Sequence, residues 1–271
     1  MRFLRCVVIR GLVAGVPAGI LGGLTGCSTV QETGRMQLMM SDSSDTARES
    51  ALAFQKLKKE KKISYNSADN AAVKRVGGRL AAVIAPRKNV KWEFVVFEDS
   101  EPNAFALPGG KVGVNTGLFN LATSDATLAA VLGHEMTHVT ARHGEEGQSQ
   151  EIVAAVTGVA VDVGLAAMDA PSELGDVFDA GAQVGVLLPY SRLQEYEADK
   201  VGMLYMARAG YDPQEAIVFW ERMKAWSDKH DDDSSLSFMS THPLDAARIQ
   251  KLEKFLPKAM LEYWNATGSR N

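Results

Sequence analysis

The sequence predicts an α+β fold, mostly helical, with a small β-sheet lying beside one histidine-bearing helix. Three observations predict it. Apolar residues recur at helical spacing through most of the chain after residue 45. A β-rich run at Trp92 to Glu98 is followed by two short strand-like runs around a Pro108-Gly109-Gly110 turn. Val131-Leu-Gly-His134-Glu135-Met-Thr-His138 then places two histidines four residues apart within an apolar helix, so both rings lie on one face.

The chain has 271 residues, enough for one domain with a full core or two small ones. A hydrophobic share of 46% and a charged share of 23% exclude a disordered chain. The net charge is -4, and no long basic run stands out beyond Lys56 to Lys62, which argues against a nucleic-acid partner. Both cysteines, Cys6 and Cys27, fall in the first 27 residues, so the remainder has neither a disulfide framework nor a cysteine-based zinc site.

Residues 1–26 read as an export signal. Arg2, Arg5 and Arg10 precede a short apolar stretch from Leu12 to Leu24. Leu24-Thr25-Gly26-Cys27 resembles a bacterial lipobox, which makes Cys27 the expected site of lipid attachment and the membrane anchor. Ser28, where an aspartate would mark inner-membrane retention, points by the same resemblance to an outer-membrane lipoprotein facing the periplasm. Residues 27–44 are polar and read as a tether, with the catalytic domain following at 45–271.

A helix is predicted from Asp45 to about Lys62, on Ala47, Ala51, Phe54 and Leu57, and its lysines form a solvated face. Ser67-Ala68-Asp69 offers an N-cap for a second helix that ends near Ile84, before Pro86. After the strand group, Thr123 or Ser124 caps the helix that carries the two histidines, which runs to about Arg142 with Gly144 as its stop. Residues 151–169 are apolar, but scarce leucine and a central Asp162 favour a segment near the site over a membrane span. Residues 170–186 read as loop. Helices follow from Ser191 to Ala209, from Asp212-Pro213 to Trp226, and after Pro243 on Ala246, Ile249, Leu252 and Phe255. Lys229 to Ser235 reads as an acidic loop with His230 exposed in it.

A catalytic zinc needs three protein ligands and one open position. His134 and His138 supply two. Glu195-Tyr-Glu-Ala-Asp199 supplies candidates for the rest: Glu195 as third ligand, and Asp199, one turn on, as partner of a histidine ring N–H. His143 is five residues past His138, off the ligand face, and reads as a cation at the helix C-terminus. Glu197 points roughly opposite to Glu195. Glu135 is the candidate general base for peptide hydrolysis, and His242 and Arg192 are candidate donors to the oxyanion. An extended substrate could pair with a strand edge at Asn103 to Leu107, involving Asn103, Ala104, Phe105 and Ala106, or at Val112 to Val114.

These residues resemble the HtpX-like and CAAX-prenyl-protease-like zinc metallopeptidases, gluzincins whose second motif is Glu-x-x-x-Asp, and within them the periplasmic lipoprotein members. The resemblance covers most of residues 45–256 and rests on Asn103-Ala-Phe-Ala-Leu-Pro-Gly-Gly, His134-Glu135-x-x-His138, Ser191-Arg192-x-x-Glu195-x-x-Ala198-Asp199 and Thr241-His242-Pro243. It implies a zincin-type domain with one Zn2+ per chain on His134, His138 and Glu195, Glu135 as base and Asp199 behind the ligands. It further implies that His242 can lie over the metal and restrain activity, and that the substrates are unfolded or misfolded envelope proteins. A reading from another class stays open: a zinc-stabilised binding or chaperone-like lipoprotein with little turnover. Glu135 speaks against it, because a purely structural metal site needs no base.

Overall fold

The computed structural model describes residues 27–40, 42–84, 90–150, 190–230, 238, 241–243 and 246–268. The export signal at 1–26, the apolar stretch at 151–169, the loop at 170–186 and most of the acidic loop at 229–235 lie outside the described residues.

The segment expected as a tether is instead folded onto the body. Strands β1 (Cys27–Thr29) and β2 (Met36–Leu38) pair antiparallel, and Val30, Gln37 and Met39 are buried. Its polar residues find distant partners in place of water: the Tyr205 hydroxyl donates to Glu32 at 2.6 Å, and the Met40 N–H donates to Ser149 at 2.9 Å. Composition alone could not reveal those partners.

Helix α1 (Ser43–Glu60) is capped by the Asp42 side chain, and its Phe54 packs edge-on against Phe97 and Phe105. Helix α2 (Ser67–Val83) is capped by Asn66, one residue ahead of the expected cap, because the Asn66 side chain accepts from the Ala68 and Asp69 N–H groups. Strands β3 (Glu93–Phe97), β4 (Ala104–Leu107) and β5 (Lys111–Asn115) form a sheet of order β3-β5-β4, with β3 parallel and β4 antiparallel to β5. The tight β4–β5 turn needs the left-handed φ of Gly109 and Gly110, at 79° and 85°.

Helix α3 (Asp125–Thr140) starts with a reciprocal capping box between Ser124 and Thr127, and every residue from Thr127 to Thr140 is buried. It ends earlier than expected. Arg142 turns to φ 58° and residues 143–150 resume helix, so the break lies at Arg142 and not at Gly144. Among the described residues, helices α4 (Arg192–Arg208), α5 (Gln214–Ser227) and α6 (Ala246–Thr267) follow. The main core joins α2, the sheet, α3, α4 and α5 through Leu80, Val114, Leu132, Met206 and Phe219. Among the described residues, no helix is long and apolar enough to cross a membrane.

Candidate metal centre

The site is built where α3 crosses α4, and glycine allows the crossing. A Cβ on Gly202 would lie 2.7 Å from the His134 nitrogen, and one on Gly133 would lie 2.9 Å from the Gly202 carbonyl. The two backbones therefore touch, which brings the histidine face of α3 within side-chain reach of Glu195 and Asp199 on α4. All four side chains are buried.

Four groups converge: His134, His138, Glu195 and His242, with one ligand atom of each within 4.8 Å of all the others. His134 Nε2 lies 3.1 Å from His138 Nε2 and 3.3 Å from His242 Nδ1. Glu195 Oε1 stands 3.3 Å from His138 Nε2 and 3.1 Å from His242 Nδ1, while its Oε2 is 3.5 Å from His134 Nε2. A tetrahedron with zinc–nitrogen arms of 2.0–2.1 Å has edges of about 3.3–3.4 Å. The spacings of 3.1–3.5 Å lie near those edges, and the four ligand atoms as a set lie within 4.8 Å of one another.

The electrostatics ask for a cation at the same point. Burial alone would push the His134 pKa down, but Glu195 and Asp199 outweigh it and hold it up at about 9. His138 goes the other way, driven well below the ordinary range first by burial and then by the adjacent His134. Burial raises the Glu195 carboxyl pKa, yet His242 and His134 overcome that and keep it well below the usual carboxylate range. Two imidazole nitrogens and a carboxylate, at these distances and without solvent, fit a zinc ion.

The outer groups orient the inner ones. Asp199 Oδ1 is 3.0 Å from His134 Nδ1. The Arg248 guanidinium, 1% exposed, donates to both Asp199 oxygens at 2.8 and 2.9 Å and lies 2.6 Å from Glu195 Oε2. Tyr190 stacks on His138 with centroids 3.7 Å apart, Trp220 meets His134 edge-on at 5.0 Å, and Phe238 stacks on His242 at 4.7 Å. The Tyr190 N–H donates to the Thr241 carbonyl at 3.0 Å, which ties the His242 turn to the start of α4.

Glu135 lies at the rim of the cluster and is buried. Burial pushes its carboxyl pKa up, as suits a base. Its Oε1 has no hydrogen-bond partner among the described residues and lies 3.4 Å from His242 Nε2.

Several expectations change. Arg192 is exposed at the first residue of α4, outside the cluster of four, and the guanidinium that reaches the site is Arg248. His143 is no surface cation: it is fully buried, 2.9 Å from His138 Nδ1, and burial lowers its pKa. Val112 and Val114 cannot pair with a substrate, because β5 is flanked on both edges and both side chains are 0% exposed. Strand β4 is an edge strand of that sheet, with Asn103 at its start, Ala104 and Ala106 buried, and Phe105 turned toward Phe54 and Phe97. Cys27 sits in β1, and His230 is exposed against Trp226. A sequence signal for Arg248 exists in hindsight. Arg248, Leu252 and Ala259 are the buried residues of α6, so the arginine occupies a position on its apolar stripe.

A buried His-Glu-x-x-His helix facing a Glu-x-x-x-Asp helix defines the gluzincin class of metallopeptidase. Residues 67–256 match the model of peptidase family M48, and the chain belongs to that family. Mitochondrial metalloendopeptidase OMA1 of Schizosaccharomyces pombe is 41% identical over 192 residues, covering 70% of this chain and 54% of that protein. Metalloendopeptidase OMA1 of Homo sapiens is 30% identical over 175 residues, covering 63% and 33%. The beta-barrel assembly-enhancing protease of Yersinia pestis is 31% identical over 179 residues, covering 64% and 36%. The chain spans about half or less of the length of these curated relatives.

Proposed function

We propose that this chain is a zinc-dependent endopeptidase of the bacterial cell envelope, held latent by His242, which hydrolyses unfolded or misfolded periplasmic and outer-membrane proteins. The observation that carries the reading is the solvent-free convergence of His134, His138 and Glu195, with the oxygen of Glu135 left unbonded beside them. Bound there, zinc would supply Lewis acidity that polarises a carbonyl and brings the pKa of water to about 7.

The chain's own groups supply the rest. Glu135 takes the proton from the attacking water and passes it to the leaving nitrogen, a role its raised pKa suits. Helix α3, which carries Glu135, packs against β4, an edge strand that can pair with an extended substrate. Asp199, kept ionised by Arg248 against the opposing effect of burial, accepts from His134 Nδ1–H and so aims the Nε2 lone pair inward. His138 presents its own Nε2 likewise.

Latency rests on one further observation. A catalytic site keeps three protein ligands and an open position, whereas His242 here brings a fourth donor atom to the cluster. The same contact favours the second reading, a zinc-stabilised binding lipoprotein with little turnover. The envelope location and the anchor on Cys27 rest on the Leu24-Thr25-Gly26-Cys27 sequence, and the name of the Yersinia pestis relative, a beta-barrel assembly-enhancing protease, supports the envelope location alone. Cleavage of an unfolded protein such as casein, stopped by a chelator and restored by zinc, tests the proposal. Zinc-replete protein that never cleaves, even without the His242 side chain, would leave only the binding reading.

A further inference from the structure

Three polar residues on α4 alternate in sequence, and two of them have been placed: Glu195 at the ligand atoms and Asp199 behind His134. The third, Glu197, points away from Glu195 around the helix and cannot reach the ligands directly. It is nevertheless buried and heavily bonded. His143 Nε2 lies 3.0 Å from Glu197 Oε2, and His143 Nδ1 lies 2.9 Å from His138 Nδ1. His143 is fully buried.

We infer that His143 is a positioning residue which, with Glu197, sets the tautomer of His138 and presents its Nε2 lone pair to the metal. The proton order follows from donor and acceptor chemistry. Arg35 Nε donates to Glu197 Oε2 at 2.7 Å and the Thr33 hydroxyl donates to Oε1, so Glu197 is ionised and can only accept. A neutral His143 therefore carries its proton on Nε2, which leaves Nδ1 as an acceptor. His138 must then donate from Nδ1, and its remaining lone pair is on Nε2, facing Glu195 and His134. Reversing any link would put a proton between His138 and the ligand cluster.

The two ligating histidines are thus set by two carboxylates of one helix, Asp199 directly and Glu197 through an intervening imidazole. The relay also brings the amino-terminal hairpin into the site. Besides Glu197, Arg35 holds Glu146 through two bonds of 2.5 and 2.7 Å, and Gln194 Nε2 donates to both Glu146 and the His143 carbonyl. The turn between β1 and β2 therefore pins the outer end of the relay, so the residues that follow Cys27 bear on metal affinity.

The inference rests on the metal reading above, and the test separates the two. Zinc affinity is measured by chelator competition on the full chain, beside His143→Leu, His143→Gln, Glu197→Gln and Arg35→Ala, with thermal unfolding of each metal-free form. Loss of such an outer partner costs metal affinity about 10–100-fold. His143→Leu should fall by that factor. His143→Gln, which offers both an acceptor and a donor, should recover most of it, a rescue that a merely structural role would not give. Arg35→Ala should weaken zinc binding by a smaller factor. Should His143→Leu not fold, Glu197→Gln carries the test, with weaker zinc binding expected. Nitrogen-15 NMR of the zinc-bound chain should find His138 protonated on Nδ1 and His143 on Nε2. Zinc held within twofold of the unmodified chain by both His143→Leu and Glu197→Gln, or equal loss in His143→Leu and His143→Gln, would overturn the relay alone. No zinc on the unmodified chain would overturn the metal reading with it.

Discussion

Gly202 of α4 rests on Gly133 of α3 with no room for a methyl group, since a Cβ at 202 would stand 2.7 Å from the His134 nitrogen. The obstacle is backbone on both sides, so neither helix can yield without moving the other. Gly202→Ala is expected to destabilise the fold by about 1–3 kcal/mol, the cost of overpacking a tight core. It should also separate Glu195 from the two histidines and lower zinc occupancy. Thermal unfolding with metal analysis checks both, and an alanine variant of full stability and full occupancy would contradict the close crossing.

Arg248 is the counter-charge for Asp199 and Glu195, all three buried. Removing one member of a buried ionic group leaves the others uncompensated, at a cost of about 3–5 kcal/mol. Arg248→Met should therefore unfold at much lower denaturant concentration. The loss should be greater in metal-free protein, because zinc would neutralise part of the exposed negative charge. Urea unfolding with and without zinc distinguishes this from simple loss of packing, for which the two losses would be equal.

His242 contributes Nδ1 to the ligand cluster, and Phe238 and Tyr190 hold its turn. A latch worth about 1.4 kcal/mol would suppress turnover roughly tenfold. His242→Ala is expected to raise casein cleavage by about that factor with zinc still bound at one ion per chain. Unchanged cleavage with zinc retained would rule out the latch, and lower cleavage would mean that His242 assists the reaction.

A pH effect can be read at Glu93, away from the site. Lys58 Nζ is 2.5 Å from Oε1 and Lys111 Nζ is 3.0 Å from Oε2. The Lys58 bond holds the carboxyl below its ordinary 4.5 against the opposing effect of burial, with Lys111 adding to it. A carboxyl pKa lowered by folding stabilises the fold above the unfolded value, and that contribution disappears as pH falls through the folded value. Glu93→Gln should cost about 0.5–1 kcal/mol at pH 7, modest because the pair is partly exposed. The difference from the unmodified chain should close below pH 4.5. A constant difference from pH 7 to pH 3 would show that the ion pairs are not its source.

The sequence revealed those parts of the site whose partners are local. His134 and His138, and Glu195 and Asp199, are each set one turn apart on a helix, so periodicity alone places each pair on a face. The β4–β5 hairpin was legible because its Gly109-Gly110 turn needs a left-handed backbone. What escaped depends on partners far along the chain. The polar stretch from Cys27 to Met40 looks like a solvated tether until Arg35 meets Glu146 and Glu197, over 100 residues away. His143 looked like a terminal cation because five residues past His138 is off the ligand face, and a ring nitrogen can still join its neighbour from there. Arg248 was hidden by its place on an apolar stripe, where a buried arginine is unexpected without knowing that Asp199 and Glu195 lie opposite.

The most direct test of the central claim compares casein cleavage by the unmodified chain and Glu135→Gln, in a His242→Ala background that removes the latch, with zinc content determined for each. Glu135 lies beside the ligand cluster and is not part of it, so the variant should keep one zinc per chain while cleavage falls by at least about 10²-fold, the scale of a lost general base. Cleavage that survives Glu135→Gln with zinc still bound would contradict the assignment of the base, and with it the account of this site as a peptidase.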